Sequence, residues 1–277
     1  MTATLTFTDL MPEHLDTACA LSRQCGWPHR REDWALALRL SRGVAALEDD
    51  RVVGTALATP FGDVATANMI IVDGAMRGRG LGRTLMDEMM ARVAPAEWRL
   101  IATDEGRPLY EKLGFQAGGR IVQHQGHVAA VAAPAGVAFA KASDRDALIA
   151  LDRAATGCDR TDLIDALFEL GQLAVIRSAG RVTAFAARRD FGRGEVVGPV
   201  IAPDPEHARA LLSFFFAGRE GAFLRVDTDA DSGLGPWLVA CGLMPVGGGL
   251  RMTRGAAEPR DNPSAARVFA LASQAMG

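Results

Sequence analysis

Hydrophobic residues in the first half of the chain recur either at helical spacing or in short runs of strand length. Between residues 81 and 93 the apolar side chains fall on one helical stripe, which predicts an amphipathic helix. The predicted elements are helices over 9–25 and 32–40, a hairpin of strands over 44–48 and 51–59, a strand over 67–72, the helix over 81–93, a strand over 98–103, a helix over 107–113 and a final pair of strands over 115–128. This alternation is typical of an α+β domain.

The second half repeats the same order of elements. It predicts a strand over 137–141, helices over 144–156 and 162–170, a hairpin over 173–178 and 181–188, a strand over 195–201, a helix over 205–217, a strand over 223–228, a helix over 235–241, a strand ending at 252 and a short helix over 263–277. Val72 and Val200 lie 128 positions apart, as do Gly114 and Gly242, which indicates an internal duplication. We therefore predict domains over 1–130 and 137–277, joined by a small, uncharged linker over 131–136.

Composition narrows the class of protein. Of the 277 residues, 49% are hydrophobic and 23% charged, which excludes a disordered or low-complexity chain. A net charge of −3 leaves no basic footprint, so we expect neither a nucleic-acid nor a membrane partner. The four cysteines are widely spaced, and His124 and His127 fall on opposite faces of a predicted strand, so no metal site is expected. Without a signal peptide or spanning segment, a cytoplasmic monomer or homodimer is predicted.

A glycine-rich segment, Arg77-Gly78-Arg79-Gly80-Leu81-Gly82-Arg83, lies between the predicted strand and the amphipathic helix. Glycines let backbone N–H groups approach a ligand, and the helix N-terminus adds partial positive charge, so the segment suits a phosphate or pyrophosphate. A surface turn with a helix cap is the alternative. A Walker loop is excluded because the segment has no lysine, and a dinucleotide fingerprint is excluded because Arg83 stands at its third glycine position.

The pattern that fits is R-x-x-G-x-G, formed by Arg77, Gly80 and Gly82. With a second motif at residues 106–115, it makes the chain resemble the GNAT superfamily of acyl-CoA-dependent N-acetyltransferases. The resemblance implies an α+β fold of two tandem GNAT-like domains, each a mixed, mostly antiparallel, twisted sheet flanked by helices. It also implies that the glycine-rich segment holds the pyrophosphate of acetyl-CoA, the acyl donor, with no metal. The family's proline after the loop strand is replaced by Gly74.

The resemblance also implies catalytic roles. The end of the strand before the loop, at Ile71 and Val72, is expected to donate a backbone N–H to the thioester carbonyl. Tyr110 stands where the family places the acid that protonates the departing thiolate, and it is the only tyrosine of the chain. A phenol with its ordinary pKa of about 10 is protonated at neutral pH and is a suitable acid. The alternative role of Tyr110 is packing.

Several residues are candidates for contacting the acceptor amine. The predicted substrate-side residues are Trp27, Asp33 and Asn68, with Trp34 as a further aromatic candidate. The identity of the general base stays open, and the possibilities are His29, Glu32, Asp33, Asp104 and a water chain.

The second copy lacks the coenzyme and acid residues. At the 128-residue offset, the positions of the loop motif and of the tyrosine are occupied by Pro205, Ala208, Ala210 and Leu238. Proline has no N–H donor, and alanine side chains obstruct a close approach of pyrophosphate to the backbone. We therefore predict one active site, in the first half, that moves an acetyl group from acetyl-CoA to a primary amine of a small molecule by direct attack in a ternary complex. A non-enzymatic acyl-CoA sensor or interaction protein is the alternative function.

Overall fold

The computed structural model describes residues 5–255 and 266–277. The strands are β1 (Leu5–Asp9), β2 (Arg42–Glu48), β3 (Arg51–Phe61), β4 (Val64–Val72), β5 (Glu97–Ala102), β6 (Gln116–His127), β7 (Val137–Phe139), β8 (Gly171–Ser178), β9 (Arg181–Phe191), β10 (Gly194–Ala202), β11 (Phe223–Asp229), β12 (Met244–Gly255) and β13 (Arg267–Ala270). The helices are α1 (Leu15–Gln24), α2 (Arg31–Arg39), α3 (Leu81–Met90), α4 (Arg107–Lys112), α5 (Arg145–Thr156), α6 (Thr161–Leu170), α7 (Pro205–Phe216) and α8 (Gly235–Ala240). The α+β class predicted from the sequence is confirmed.

The thirteen strands in the described residues form one sheet, in the order β1-β2-β3-β4-β5-β12-β6-β11-β13-β10-β9-β8-β7. The two halves exchange their last long strands. β12 of the second half lies between β5 and β6, and β6 of the first half pairs with β11. The pairs β4–β5 and β10–β11 are parallel, and the neighbours around them are mostly antiparallel. The mixed sheets of the two halves are therefore joined into one.

Three details of the predicted elements need correction. Residues 116–127 form the single strand β6 rather than a pair of strands, because β6 pairs with β12 along one edge and with β11 along the other. The first helix begins at Leu15, since residues up to Asp9 belong to β1. The predicted C-terminal helix is wrong, because Arg267–Ala270 form the strand β13; residues 263–265 of that prediction lie outside the described residues.

Helices cover both faces of the sheet, and alternate strand residues point to opposite faces. Ala45 of β2 packs into a core under α1, α2, α5 and α6 that contains residues of both halves, among them Trp34 and Phe185. Its neighbour Val44 points the other way, into a core under α3 and α4. A third core lies under α7 and α8 in the second half. Residues 128–136 lie in neither helix nor strand, and the domain boundaries at 130 and 137 stay a prediction.

Candidate active site

The parallel strands β4 and β5 separate along their length. Their pairing is limited to Val64–Thr66 against Glu97–Arg99, although both strands continue beyond it. A cavity of about 1050 Å³ lies at this opening, lined by residues 67–72 from β4 and by Ile101 from β5. Strands that separate leave backbone N–H and C=O groups without strand partners, and a ligand can satisfy them.

A β-bulge interrupts β4 where the cavity begins. The register against β3 shifts there, so that residues 69 and 70 together face Ala56. Met69 has a φ of 49°, a conformation that is costly for a residue other than glycine and that is concentrated at functional sites. Beyond the bulge, the Asp73 N–H bonds to a carbonyl of β3, so the alternation of an antiparallel strand directs the Val72 N–H away from β3 and toward the opening.

The glycine-rich segment adopts a conformation that needs glycine at two positions. Gly78 and Gly80 have φ values of 76° and 81°, and Gly80 is the N-cap of α3. A Cβ atom at either position would meet nothing within 4 Å, so it is the backbone conformation that requires these glycines. Gly82 lies inside the helix, and a Cβ atom there would come within 3.4 Å of Leu109 Cδ2. The first N–H groups of α3 have no intrahelical acceptor and can bind an anion.

The structure brings together all but one of the predicted coenzyme residues. Those that line the cavity are Ile71, Val72, Arg77, Gly78, Gly80, Leu81, Gly82 and Arg83. Arg79 does not line it, and its Nη1 atom lies 3.8 Å from Met76 Sδ. Arg77 donates to Cys25 Sγ at 3.7 Å, and Arg83 pairs with Asp87 on the surface of α3 at 3.1 Å. Two guanidinium groups therefore supply positive charge near the N-terminus of α3.

Tyr110 lines the cavity from α4. Its side chain is 7% exposed, and its ring packs edge-on against Phe115 with the centroids 6.1 Å apart. A Cβ atom at Gly106 would lie 2.9 Å from Tyr110 Cε2, so the glycine makes room for the ring. Burial raises the pKa of Tyr110 to about 12, which keeps the phenol protonated through the neutral range. The hydroxyl has no hydrogen-bond partner among the described residues, so its proton is available to a ligand.

A second wall of the cavity, the acceptor wall, draws on both halves of the chain. In the segment between α1 and α2 the rings of Trp27 and His29 contact edge to face, with centroids 5.8 Å apart, and His29 contacts Phe191 at 5.5 Å. Arg225 of β11 has its Cζ atom 5.1 Å from the centroid of the Phe191 ring. The other members of this wall are Gln123, Gln125, Arg193, Ser273 and Gln274. Trp27, a predicted substrate-side residue, therefore lies at the cavity.

His29 is neutral in this wall. Burial lowers the pKa of His29 to about 4, and the nearby guanidinium of Arg225 adds to the effect. The Nδ1 atom is buried and has no hydrogen-bond partner among the described residues. The other candidate bases Glu32 and Asp104 are exposed and do not line the cavity. His29 is thus the candidate base that the fold places at the site.

Asn68, at the start of the bulge, has the orientation of its amide fixed by neighbours. Its Nδ2 atom donates to Thr59 Oγ1 at 2.9 Å and to the carbonyl of Thr66 at 3.3 Å. Because a carbonyl only accepts, the nitrogen and not the oxygen must face Thr66. Ser41 Oγ donates to the Ala37 carbonyl, so it accepts from Thr59 Oγ1, and Thr59 Oγ1 in turn accepts from Asn68 Nδ2. The Asn68 Oδ1 atom is left buried with no partner in the described part of the chain.

Two residues predicted on the acceptor side hold the fold together instead. Asp33 does not line the cavity, and its carboxylate accepts from the backbone N–H groups of Arg30 and Gly192 at 2.9 Å each. Burial alone raises the pKa of Asp33, but the hydrogen bonds from Arg30 and Gly192 outweigh it and hold that pKa below its usual range. Trp34 is fully buried and donates to Ser22 Oγ at 2.9 Å. Asp33 therefore ties α2 to the second half, and Trp34 belongs to the core.

The corresponding opening in the second half is filled by β13. β10 and β11 pair in parallel only at residues 195–196 and 224–225, and then separate as β4 and β5 do. β13 enters the gap and pairs antiparallel with β10 at residues 200–202 and with β11 at Thr228. The backbone groups that a thioester substrate would need are therefore bonded within the protein.

The N-terminus of α7 is also occupied. Asp204 caps the helix, and its Oδ1 atom accepts from the N–H groups of Glu206 and His207 at 2.9 Å each. A carboxylate therefore sits where α3 leaves its first N–H groups open. Leu238, at the position equivalent to Tyr110, is fully buried in the core of the second half.

Sequence reasoning missed the acceptor-wall residues of the second half. They are Phe191, Arg193, Arg225, Ser273 and Gln274. Their placement depends on the strand exchange and on β13, which leave no local pattern in the sequence. The available signal was Arg225 itself, an arginine between Leu224 and Val226 of a predicted strand, because a charge is buried only where a partner or a ligand compensates it.

The described residues contain no group of three or more His, Cys, Asp or Glu side chains placed to hold a metal ion. On β6, His124 is buried, whereas His127 is exposed and contacts the Gly221 carbonyl at 2.8 Å. Within residues 5–255 and 266–277, no helix is long and apolar enough to cross a membrane.

Known proteins share this architecture. Two family models, each described as an acetyltransferase (GNAT) domain, match residues 40–117 and 148–269. The chain is 27% identical over 231 residues to the uncharacterised N-acetyltransferase YitH of Bacillus subtilis, covering 80% of this chain and 81% of that protein. Its fold is similar to that of a proposed acetyltransferase from Pyrococcus horikoshii, with a TM-score of 0.81, 18% identity and coverage of 99% and 96%. A tandem GNAT protein from the clavulanic acid biosynthesis pathway is similar with a TM-score of 0.63, 16% identity and coverage of 93% and 100%. The chain therefore belongs to the GNAT superfamily and carries two GNAT acetyltransferase domains in tandem.

Proposed function

We propose that this protein transfers an acetyl group from acetyl-CoA to a primary amine of a small molecule, at one active site in its first half. The observation that carries the proposal is the opening between β4 and β5, which the glycine-rich segment and Tyr110 both line. The open N-terminus of α3, with Arg77 and Arg83 beside it, suits the pyrophosphate of the donor. Membership of an acetyltransferase family supports the same donor.

In the proposed reaction the amine attacks the thioester directly, within a ternary complex. The amine nitrogen forms a bond to the carbonyl carbon, the C–S bond breaks, and the electron pair leaves with the sulfur as a thiolate. At the end of β4, where Ile71 and Val72 were predicted to act, the Val72 N–H is directed into the opening and stabilises the negative charge that develops on the carbonyl oxygen, whereas the Ile71 N–H faces β3. Tyr110 holds a proton on its hydroxyl for the departing thiolate.

The proton lost by the amine takes a different route. A histidine whose pKa is about 4 does not remove a proton from an ammonium ion, whose pKa is about 10, at neutral pH. We therefore assign His29 Nδ1 and Asn68 Oδ1 as hydrogen-bond acceptors that hold the neutral amine, since both atoms are buried and have no partner among the described residues. The proton itself passes to solvent through water.

Release of free coenzyme A tests the proposed function. Purified protein is incubated with acetyl-CoA and a panel of primary amines, and the free thiol and the N-acetyl product are both quantified. An enzyme is expected to release thiol faster with at least one amine, with one thiol for each product formed. Binding of acetyl-CoA that is never followed by amine-dependent release would favour the alternative, an acyl-CoA sensor or interaction protein.

Acetyl-CoA is expected to bind once per chain. β13 fills the second opening and Asp204 caps α7, so the second half offers neither the strand edge nor the helix N-terminus that the donor needs. Isothermal titration calorimetry measures the stoichiometry. Two equivalent sites per chain would contradict a single active site in the first half.

A further inference from the structure

Charged side chains line the cavity at two places. Arg77 and Arg83 lie at the glycine-rich segment, and Arg193 and Arg225 lie on the acceptor wall. Among the described residues that line the cavity, Glu105 is the single carboxylate, and it belongs to the segment that leads into α4. The acceptor wall therefore presents two guanidinium groups and no carboxylate of its own to the cavity, since Asp227, the ion-pair partner of Arg225, is fully buried and does not line it.

Arg225 is fixed along one edge of its guanidinium. Its Nε atom donates to Asp227 Oδ2 at 2.9 Å, and the other oxygen of Asp227 accepts from Gln274 Nε2 at 3.0 Å. The side chain of Arg225 is only 11% exposed, and neither of its Nη atoms bonds to any described residue. Asp227 and the Phe191 ring thus orient a desolvated guanidinium and leave its two Nη groups for a ligand. Those paired donors match the two oxygens of a carboxylate.

Arg193 adds a second cation at the rim of the cavity. It is exposed, its Cζ atom lies 4.9 Å from the centroid of the Phe223 ring, and it forms no ion pair with the described residues. An amine with several positive charges would bring like charges next to two guanidinium groups, which is unfavourable at a poorly solvated site. An amine that also carries an anionic group would be attracted to the same wall.

We infer, building on the proposed acetyl transfer, that the acceptor is a small amine that also carries a carboxylate, as an amino acid does. The carboxylate binds the Nη groups of Arg225, with Arg193 adding attraction at the rim. The amine then lies toward Asn68 of β4 and His29 of the acceptor wall, two cavity-lining residues with unpartnered buried acceptors. Arg225 and Arg193 determine specificity, since they bind the end of the acceptor that does not react.

Matched pairs of acceptors test this inference. Thiol release is measured with α- and ω-amino acids and with their carboxamides, which keep the amine and lose the charge. We expect kcat/KM to be at least about tenfold higher for the acid of a preferred pair. Arg225→Gln is expected to raise KM for that acid about 10- to 100-fold, the range of a hydrogen bond to a charged group, with KM for acetyl-CoA unchanged. Arg225→Lys is expected to restore part of the preference.

A second variant covers the risk that Arg225→Gln does not fold, because it leaves the buried Asp227 without its ion pair. Arg193→Gln removes an exposed arginine and is expected to raise KM for the acid about two- to fivefold. Arg181→Gln is the matched control, since Arg181 is exposed at the start of β9 and does not line the cavity. Equal kcat/KM for acids and carboxamides, or a KM that neither cavity variant changes, would overturn the inference.

Failure of the proposed function gives a different result. If no amine is acetylated, acetyl transfer is contradicted, and calorimetry with the same amino acids and carboxamides then examines the wall directly. Binding of the acids that exceeds binding of the carboxamides and is lost in Arg225→Gln or weakened in Arg193→Gln supports a carboxylate site. If neither the acid nor the carboxamide of any pair binds, the proposed carboxylate site is overturned.

Discussion

Replacing Tyr110 by phenylalanine is expected to lower kcat about 10²- to 10⁴-fold, the range typical of general acid catalysis, if departure of the thiolate limits the rate. The substitution removes the hydroxyl and keeps the ring, which packs against Phe115. The hydroxyl bonds to none of the described residues, so its loss leaves no buried partner unsatisfied. The dissociation constant of acetyl-CoA, measured by calorimetry, should change little, while thiol release reports kcat.

The pH profile and the melting temperature serve as controls for this variant. Because burial raises the pKa of Tyr110 to about 12, the wild-type kcat is not expected to fall through loss of the phenolic proton below about pH 11. A melting temperature close to that of the wild type shows that the packing is retained. An unchanged kcat with a genuine acceptor would show that Tyr110 only packs, and that the thiolate leaves unaided or takes its proton from water.

Replacing Gly82 by valine is expected to weaken acetyl-CoA binding about 10- to 100-fold. A Cβ atom at this position would lie 3.4 Å from Leu109 Cδ2 and 3.7 Å from Val72 Cγ2, and all three residues line the cavity, so the two further methyl groups of valine crowd this part of the lining. There they obstruct the approach of the pyrophosphate to the first N–H groups of α3. Loss of one or two charge-assisted hydrogen bonds sets the expected range. Calorimetric titration with acetyl-CoA measures the dissociation constant.

Gly82→Ala is the matched control. Its single Cβ atom is at an ordinary contact distance, so the dissociation constant should rise less than about threefold. Alanine and valine both favour a helix more than glycine does, so neither variant is expected to lower the melting temperature. Valine with wild-type affinity would indicate that the segment is a plain turn rather than a pyrophosphate site.

The parts of the molecule that depend on neighbours in sequence could be predicted from the sequence. The amphipathic stripe after the glycines predicted α3, and the two runs joined by Asp49-Asp50 predicted the β2–β3 hairpin. The side of the cavity proposed to hold the coenzyme consists mainly of residues 71–83, which are nearly consecutive, so one motif contains most of it.

The rest of the site depends on partners that are distant in sequence. Residues 267–270 form a strand because β10 and β11 leave a gap for them, which no helical or strand period in the tail reveals. The Asp33 carboxylate does not face the cavity, because it accepts a hydrogen bond from the N–H of Gly192, 159 positions away. Arg225 is placed on the acceptor wall because β11 pairs with β6 of the other half. Duplication could be predicted from the shared offset, but the exchange of strands between the copies could not.

The fate of a labelled acetyl group tests acetyl transfer most directly. Acetyl-CoA labelled with a heavy isotope in its acetyl group is mixed with the protein and with an acceptor from the amine panel, and mass spectrometry follows the acceptor and the intact protein. Direct attack in a ternary complex predicts the label on the acceptor amine, one free thiol for each labelled molecule, and no label on the protein. A labelled protein that passes its label on to the amine would contradict direct attack, and acetyl-CoA that stays intact with every amine would contradict acetyl transfer.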